Sequence, residues 1–477
     1  MHFLERKKQV GALGTIHFVG IGGIGMSGIA EVMYGMGYSV QGSDISKNAN
    51  TDRLSSKGVK IFEGHSASNI INADYVVISS AVRNDNPEVV EAIKMSIPVL
   101  KRSEMLTELM RFKTAVAISG SHGKTTTTSL VACLFEAAGL APTVINGGII
   151  NHKSTNAYIG QGDYVIVEAD ESDGTFIRIP SSIAVITNID PEHMDYYHSF
   201  DNLLAAFSTF ITNLPFYGFA ALCVDHPVVR DLASKITTRK IITYGIDSKD
   251  ANVTAFNIRG DVSSSSFDVK ISLPSSVGSV VVENITLPTP GRHNVLNALA
   301  AIAIAAEMDF GVRVIKDGFK RFNGVKRRFT KVGEYKKVSI IDDYAHHPAE
   351  IEATINTAVD VLKSSGGKLV AVFQPHRYSR LHNLFDDFSK VFGGASKLFV
   401  LDVYSAGEPE IEGVNSRSLV KKISETHKDA HFVECSDALP KLILDGVKEN
   451  DIVLMMGAGS ITYLAASLAE KLREADL

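Results

Sequence analysis

The sequence predicts an α/β protein of three domains, each built on a doubly wound and mainly parallel sheet. Its 477 residues are enough for roughly three domains of about 150 residues each. Apolar runs of strand length alternate with segments of helical period, and many of these runs end in glycine-rich or charged turns. We place the domains at residues 1–108, 109–322 and 323–477. The first and third are predicted to be Rossmann-like, and the central sheet is predicted to carry added β-hairpins over 252–288.

The first domain opens with a strand, a glycine turn and a helix. Residues 15–19 lead into the sequence GIGGIGMSG at 20–28, and a second strand ends at Asp44. Such a turn binds a nucleotide diphosphate at the helix N-terminus, with the acidic residue near a ribose hydroxyl. The pattern does not choose between NAD and another nucleotide. Three polar residues at further strand ends are candidate contacts, although ordinary loop polarity explains them equally well: His65, Ser79 and Ser80.

The second domain opens with a short phosphate-loop motif. A strand ends at SGSHGK, residues 119–124, and a helix follows. Backbone N–H groups, the helix N-terminus and Lys124 would converge there on a phosphate. The hydroxyl of Thr125 or Thr126 would reach Mg²⁺. Because Ile118 stands six positions before Lys124, the motif is shorter than the usual one. The predicted loop residues are Gly120, Ser121, His122, Gly123, Lys124, Thr125 and Thr126.

Two later strands of this domain end in acidic clusters. Glu168, Asp170 and Glu171 follow one strand, in the place where phosphate-loop enzymes hold a metal ligand. His193 follows another, among Asp190, Glu192 and Asp195, and this setting favours a functional role for the histidine. Further on, Asn294 and Asn297 lie one helical turn apart, and their amides could both donate to and accept from an adenine edge.

The third domain gathers cations at two strand ends. Four predicted strands alternate with helices, and two of them lead into the sequences DDYAHHP at 342–348 and QPHRYSR at 374–380. The resulting cluster suits a carboxylate or phosphate ligand. Its members are His346, His347, His376, Arg377 and Arg380. A glycine-rich segment at 457–460 is better explained as a tight turn than as an anion site.

Composition is that of a soluble globular protein. The chain is 45% hydrophobic and 21% charged, with a net charge of −5. We expect no nucleic-acid or membrane partner, because basic clusters and long apolar segments are not evident. The N-terminus lacks the apolar core of a signal peptide, so we expect a cytoplasmic protein. The three widely spaced cysteines, Cys133, Cys223 and Cys435, are expected to be buried thiols.

Taken together, these segments resemble the Mur ligases, ADP-forming amide ligases of peptidoglycan precursor synthesis. The resemblance covers the chain in order, through GIGGIGMSG, SGSHGKTTTT, EADESD, TNIDPEHMD, GRHNVLNALA, RRF, DDYAHHP and QPHRYSR. It is greatest to the branch that joins L-alanine to UDP-N-acetylmuramate. Several other members use a carbamylated lysine near a second metal, and this chain has no lysine between Met194 and Leu214. A ligase that recycles cell-wall peptides onto the same sugar nucleotide is the nearest alternative.

The resemblance implies a role for each motif. UDP, rather than NAD, would occupy the first glycine turn. ATP would bind with two Mg²⁺ sites, for which Mn²⁺ is an acceptable substitute. Thr125 and Glu168 would hold one metal and His193 would lie near the second. Arg328 would contact the ATP phosphates, Asp343 the ribose, and Asn294 with Asn297 the adenine.

The implied catalytic residues are Lys124, Glu168, His193, Arg328, His347, Arg377 and Arg380. The implied substrate contacts are Gly22, Gly23, Ile24, Gly25, Met26, Ser27, Asp44, His65, Ser79, Ser80, His122, Asn188, Tyr344, His346, His347, Arg377 and Arg380.

The implied chemistry is the activation of a carboxylate. The lactyl carboxylate would attack the γ-phosphoryl group of ATP, and alanine would then displace phosphate from the acyl phosphate. Because such an intermediate hydrolyses easily, we expect the third domain to close over it, with hinges near residues 108 and 323 in a monomer or homodimer. An NAD-dependent oxidoreductase would leave Lys124 and Glu168 without a role. A nucleotide-dependent switch would leave the third-domain cations without one.

Overall fold

The computed structural model describes residues 14–79, 81–110, 113–151, 153, 155–261, 263–276 and 278–476. The chain divides into two compact units. The first comprises Met1–Thr254, Ser272–Val277 and Ala300–Gly318, and the second comprises Ala255–Ile271, Gly278–Leu299 and Phe319–Leu477. The mixed α/β architecture with three mainly parallel sheets confirms the predicted fold class.

The N-terminal sheet of the first unit has five parallel strands in the order β3-β2-β1-β4-β5. The strands are β1 (Ile16–Val19), β2 (Val40–Asp44), β3 (Lys60–Glu63), β4 (Tyr75–Ile78) and β5 (Val99–Lys101). The helices between and after them are α1 (Ile24–Gly35), α2 (Ala49–Ser56), α3 (Pro87–Lys94) and α4 (Arg102–Met110), with a 3₁₀ turn at Ala67–Ile70. All strands run in one direction, so their carboxyl ends share one edge of the sheet.

The central sheet follows in the same unit. Its strands are β6 (Thr114–Ser119), β7 (Thr143–Ile150), β8 (Thr155–Tyr158), β9 (Tyr164–Glu168), β10 (Ile183–Ile186), β11 (Phe219–Cys223), β12 (Lys240–Gly245) and the start of β13 (Val253–Gly260). Its helices are α5 (Lys124–Ala137), α6 (Met194–Tyr197), α7 (Phe200–Thr212) and α8 (Pro227–Lys235), with a 3₁₀ turn at Thr175–Arg178. Strand β6 lies between β10 and β9, and both pairings are parallel.

A continuous apolar core joins these two sheets. Buried residues from Ile16 of β1 to Leu222 of β11 belong to one cluster. The hairpin β7–β8 pairs antiparallel and packs against α1, where small residues allow a close approach. A Cβ atom added at Gly28 would lie 3.1 Å from the Cβ of Ala157 and 2.9 Å from the Nδ2 of Asn156. Glycine at this position therefore lets the helix lie directly on the hairpin.

The second unit contains an antiparallel hairpin and the C-terminal sheet. The hairpin is formed by β14 (Ser265–Ile271) and β15 (Val280–Leu287). Helix α9 (Arg292–Glu307) follows and belongs to this unit as far as Leu299, whereas most of α10 (Val312–Arg321) belongs to the first unit. The C-terminal sheet has the order β16-β17-β21-β18-β19-β20 and is parallel except for the β16–β17 pair. Separate apolar clusters cover its two faces.

The elements of the C-terminal sheet alternate along the chain. The strands are β16 (Thr330–Tyr335), β17 (Val338–Asp343), β18 (Leu369–Phe373), β19 (Lys397–Leu401), β20 (Ala430–Val433) and β21 (Ile452–Met456). The helices are α11 (Pro348–Ser365), α12 (Tyr378–Asn383), α13 (Phe385–Phe388), α14 (Ser416–Ile423), α15 (Leu439–Leu444) and α16 (Ile461–Ala475). Pro348 occupies the first turn of α11, where its missing N–H has no cost.

Two details correct the expectations from sequence. Cys133 and Cys223 are buried, but Cys435 is exposed in the connection after β20, so the expectation of three buried thiols was wrong. The C-terminal sheet has six strands rather than four, because the edge strands β16 and β20 are partly exposed and lack a long apolar run. Across the described residues, every helix is too short or too polar to cross a bilayer.

Candidate active site

The first glycine turn is held by polar side chains from β2 and α2. The N–H of Gly22 donates to the Oδ2 of Asp44 at 2.8 Å, and the amide of Asn50 donates to the carbonyl of Gly22 at 2.8 Å. Helix α1 starts at Ile24, with Gly23 as its N-cap and without a side-chain cap. The start of α1 therefore has the geometry of an anion site. Asp44, predicted to meet ribose, also fixes this turn.

The remaining predicted contacts in this sheet differ in their surroundings. Met26 and Ser27 are buried within α1, where Ser27 donates to the carbonyl of Ile24 at 3.0 Å. Ser79 lies beside Gly20 at the end of β4, since a Cβ on that glycine would be 3.6 Å from the Ser79 hydroxyl. His65 contacts Ser43 and a buried carboxylate. Ser80 lies outside the described residues.

The phosphate loop between β6 and α5 depends on two left-handed glycines. Gly120 has φ of +131° and Gly123 has φ of +82°. A Cβ at Gly120 would also lie 2.2 Å from the Thr187 hydroxyl, so the loop accepts only glycine there. The side-chain amide of Asn188 brackets the loop: its oxygen accepts from the N–H of His122 at 2.7 Å, and its NH₂ donates to the His122 carbonyl at 3.1 Å.

Lys124 is paired with a carboxylate that sequence reasoning did not single out. Its ammonium donates to both oxygens of Glu171 at 2.8 Å and to the Gly120 carbonyl at 2.6 Å. Burial opposes the charge, but the carboxylates of Glu171 and Asp170 outweigh burial and raise the pKa of Lys124 above its usual value. The side chain of Glu171 is 1% exposed. Lys124 therefore remains a cation, held against the loop it is predicted to serve.

Three residues near this ion pair could share a metal ion. The ligand atoms of Asp170, Glu171 and His193 lie within 4.8 Å of one another. Carboxylate oxygens are the donors that Mg²⁺ prefers, so the donor set fits the expected ion. Glu168, the predicted ligand, instead accepts a hydrogen bond from the N–H of Gly147 at 2.8 Å. Thr125 is nearly buried in the first turn of α5, and Thr126 follows it.

His122 belongs to a chain of polar contacts that the sequence did not reveal. Its Nε2 lies 3.1 Å from one oxygen of Asp190, and the Nε2 of His226 lies 3.3 Å from the other. Burial opposes ionisation, but hydrogen bonds from the two histidines hold the pKa of Asp190 below its usual range. The hydroxyl of Ser121 accepts from the Asp190 N–H at 2.8 Å. The phosphate loop is thus tied to the end of β10 by side chains as well as backbone.

A cavity of about 200 Å³ separates the first glycine turn from the acidic end of β9. Gly25, Arg102, Gly147, Glu168 and Asp170 are among the residues that line it. The guanidinium of Arg102 lies 3.6 Å from the Asp170 carboxylate. Arg102 was not predicted to line this cavity. It could have been, because it directly follows β5 and therefore lies at the carboxyl edge of a parallel sheet.

In the second unit, the two predicted adenine ligands lie together at the start of α9. The amide of Asn297 donates to the side-chain oxygen of Asn294 at 3.4 Å, and that of Asn294 donates to the Pro290 carbonyl at 2.7 Å. Both side chains are buried, with 5% and 7% exposure. The fold therefore brings the pair together as the helical spacing predicted.

Asp343, at the end of β17, is bound to backbone. Its carboxylate accepts from the N–H of Phe329 at 2.7 Å and of Ala345 at 2.8 Å. Burial raises its pKa to about 6, although Arg328 and these bonds act in the opposite direction. The guanidiniums of Arg327 and Arg328 both face the ring of Tyr344, at 4.7 and 5.4 Å. Asp343 thus holds the segment that carries Arg328.

The predicted cluster of histidines and arginines assembles at the ends of β17 and β18, but two of its histidines, His346 and His376, are neutral near pH 7 and not cations. The rings of His346 and His376 are 6.2 Å apart, and Arg380 lies 3.3 Å from the Nδ1 of His376. Burial lowers the pKa of both histidines to about 4. His347 caps α11 by accepting from the Ala349 N–H. Arg377 faces Glu408 at 3.8 Å.

Backbone strain accompanies these cations. Arg327, Phe329 and Arg377 have φ values of +62°, +46° and +71°. Bulky side chains rarely adopt this region, and such strain is usually found at functional sites.

Three models of protein families match consecutive parts of this chain. The pattern described as the Mur ligase family catalytic domain matches residues 15–114, the Mur ligase middle domain matches 118–305, and the Mur ligase glutamate ligase domain matches 327–459. The chain belongs to the Mur ligase family.

Individual proteins agree with this membership. The chain is 60% identical to the UDP-N-acetylmuramate–L-alanine ligase of Rickettsia felis over 99% of both chains. It is 31% identical to the crystal structure of the UDP-N-acetylmuramate–alanine ligase of Thermotoga maritima, with a TM-score of 0.80 and coverage of 97% and 99%. A murein peptide ligase from Psychrobacter arcticus shares the fold at 22% identity and a TM-score of 0.68, with coverage of 97% and 98%.

Proposed function

We propose that this protein is an ATP-dependent ligase that joins L-alanine to the lactyl carboxylate of UDP-N-acetylmuramate in peptidoglycan synthesis. The observation that carries the proposal is the cavity in which the glycine turn at Gly25 faces the carboxylates of Glu168 and Asp170. A diphosphate on α1 would place an attached sugar acid beside the phosphate loop. The 60% identical relative acts, by its name, on the same pair of substrates.

The proposed reaction proceeds in two displacements. The substrate carboxylate attacks the γ-phosphorus of ATP, and ADP leaves. The alanine amine then attacks the acyl phosphate, and phosphate leaves with one oxygen of the original carboxylate. Lys124 would exchange Glu171 for the γ-phosphate, and Arg328 would offset charge on the same group. The cations Arg377 and Arg380 would hold a carboxylate, since a guanidinium can donate two parallel bonds to it.

Mg²⁺ would be held by Glu168, His193 and Thr125, with Asp170 and Glu171 as further donors, at two sites that Mn²⁺ can also fill. When bound, it would neutralise charge on the transferred phosphoryl group. His346 and His376 would be neutral near pH 7 because their pKa values are lowered to about 4. A neutral imidazole can accept the proton that the alanine nitrogen loses when the amine adds to the acyl phosphate. We place the reaction in the cytoplasm, where ATP and both substrates are available. We expect the enzyme to be a monomer or a homodimer.

Phosphate release from ATP tests the proposal. We expect release only when UDP-N-acetylmuramate and L-alanine are both present, with glycine and L-serine less effective. Lys124→Ala should lose at least about a hundredfold in rate, whereas the surface variant Lys235→Ala should keep full activity. Phosphate release that does not depend on UDP-N-acetylmuramate would refute the proposed ligase activity. A requirement for a cell-wall peptide instead of L-alanine would favour the recycling ligase.

A further inference from the structure

Glu88 of α3 is a fully buried carboxylate in the N-terminal sheet, with 0% exposure. It accepts hydrogen bonds from the hydroxyl of Ser43 and the amide of Asn69, both at 2.6 Å. Burial favours the neutral acid, but bonds from His17, Ser43 and Asn69 outweigh it and lower the pKa of Glu88 to about 2. Ionised groups are rarely kept inside a domain for stability alone, because apolar packing would serve as well.

Two histidines lie near the same oxygen of this carboxylate. The Nε2 of His17 lies 3.4 Å from it, and both side chains have 0% exposure. The Nδ1 of His17 faces the donating amide of Gln41 at 3.3 Å, so the proton of His17 is on Nε2, toward Glu88. The Nδ1 of His65 is 3.3 Å from Glu88 and 3.0 Å from the Ser43 hydroxyl.

The contacts around His65 determine where its proton sits. Ser43 has a single hydroxyl hydrogen, which it donates to Glu88. The Ser43 oxygen and the Glu88 carboxylate can therefore only accept from His65. Both contacts require a proton on the Nδ1 of His65. The Nε2 of the neutral ring is then left with a lone pair, and it can only accept.

His65 is also positioned at the ligand-binding edge of the sheet. It follows β3, and the adjacent Gly64 N–H donates to the carbonyl of Asp44 at 2.7 Å. The side chain is 16% exposed, unlike that of Glu88. Asp44 in turn holds the glycine turn through Gly22. The outer nitrogen of His65 is therefore close to the region proposed for the nucleotide.

We propose that Glu88 is a positioning residue that acts through Ser43 to hold His65 as the Nδ1–H tautomer, so that Nε2 accepts a hydrogen bond from the nucleoside. The ligand group is an imide N–H or a ribose hydroxyl, and not a phosphate oxygen. This inference rests on the proposed function, because it assigns a selecting contact within the sugar-nucleotide site.

Steady-state kinetics test the assignment. Glu88→Gln should raise the KM for UDP-N-acetylmuramate about tenfold, the loss of roughly one hydrogen bond, and should leave kcat and the KM for ATP within about twofold. Glu91→Gln, at a partly exposed position of the same helix, is the matched control and should behave as wild type. If Glu88→Gln does not fold, Ser43→Ala removes the same link with a smaller change.

A double variant and NMR distinguish positioning from a structural effect. Glu88→Gln combined with His65→Ala should raise KM no further than His65→Ala alone. Long-range ¹H–¹⁵N spectra, assigned with His65→Asn, should show the His65 proton on Nδ1 in the wild-type protein. A proton on Nε2, or an unchanged KM in folded Glu88→Gln, would overturn the inference. Absence of any ligase activity in the wild-type protein would instead refute the proposed function, while the NMR result would stand by itself.

Discussion

Both basic residues around the phosphate loop and the first glycine turn are paired with carboxylates that follow β9. Lys124 bonds to Glu171, and Arg102 faces Asp170 at 3.6 Å. A phosphate that enters would replace one anionic partner with another. Neither cation would then have to lose water molecules when the phosphate binds. The cost is competition, since the carboxylate must be displaced or bound by a metal. We infer that the acidic residues keep these cations ready and correctly oriented.

Arg102→Ala tests this view for the sugar-nucleotide side of the cavity. We expect the KM for UDP-N-acetylmuramate to rise about tenfold, because a charge-assisted contact is worth roughly 1.5–3 kcal/mol. The KM for ATP should change little, and Arg102→Lys should recover part of the loss. Lys101→Ala, one residue earlier and exposed, is the control. An unchanged KM in Arg102→Ala would mean that the guanidinium only balances Asp170.

At the level of residues, sequence identified positions better than partners. The loop residues Gly120 to Lys124 and the asparagine pair of α9 were predictable, because their spacing alone sets their geometry. Glu171 was noticed only as one of three carboxylates, and its bond to Lys124 depends on how β9 lies beside β6. The Asp190–His226 contact joins β10 to α8 across 36 residues. Such contacts follow from sheet order, which a single sequence does not specify.

At the level of elements, apolar and buried strands were predictable, and strands rich in polar or exposed residues were not. Strands β1, β6, β10 and β21 are apolar and buried, and their runs are evident in the sequence. Strand β3 contains two charged residues in four, and β20 includes an exposed histidine. The hairpin β7–β8 contains two glycines and two asparagines, residues that are depleted in strands. These elements form because neighbouring strands and helices supply partners.

That hairpin links the two glycine-loop regions of the first unit. The amide of Asn156 in β8 donates to the carbonyl of Ile24 at 2.6 Å, where α1 begins. Its oxygen accepts from Arg53 at 3.1 Å. On β7, Asn146 donates to the Ser129 hydroxyl at 2.7 Å and to the Thr125 carbonyl at 3.2 Å. The helices that follow both glycine loops are therefore held by one hairpin.

Asn156→Ala should loosen this link. The variant removes one hydrogen bond from the Ile24 carbonyl and one from the Arg53 guanidinium, both of which keep other partners, at a cost of about 0.5–1.5 kcal/mol for each bond. We expect faster amide hydrogen exchange in α1 and little change in β21. Asn213→Ala, which removes a comparable amide-to-carbonyl bond of 2.9 Å far along α7, is the control and should affect only the turn at Thr175–Arg178. Unchanged exchange in α1 would show that apolar packing alone joins these elements.

At the level of the whole molecule, acid should weaken the second unit selectively. Burial lowers the pKa of His293, His346 and His376 to about 4, from 6.5. Because the unfolded chain binds these protons first, the stability present above pH 6.5 is lost as pH falls from 6.5 toward 4. The raised pKa of Asp343, about 6, offsets the effect of one histidine over part of this range. Each well-buried histidine contributes up to about 3 kcal/mol. His293→Asn should lose less stability than wild type over this range, measured by urea unfolding.

The exposed histidine of α12 provides the comparison. His382→Asn should follow the wild-type pH dependence of the free energy of unfolding. If His293→Asn shows the same dependence as wild type, His293 does not contribute to it. Two compact units need not unfold together, so a probe in each unit is required. A fluorescent label at the exposed Cys435 reports on the second unit.

The proposed acyl-phosphate mechanism requires that one carboxylate oxygen of the sugar nucleotide is transferred to the released phosphate. We would supply UDP-N-acetylmuramate labelled with ¹⁸O in its lactyl carboxylate, together with ATP, Mg²⁺ and L-alanine, and analyse the released phosphate by mass spectrometry. We expect one ¹⁸O atom in each released phosphate, and we expect the sugar nucleotide to carry the added alanine. Phosphate without ¹⁸O, formed at the same rate as the amide, would contradict an acyl phosphate and with it the proposed mechanism.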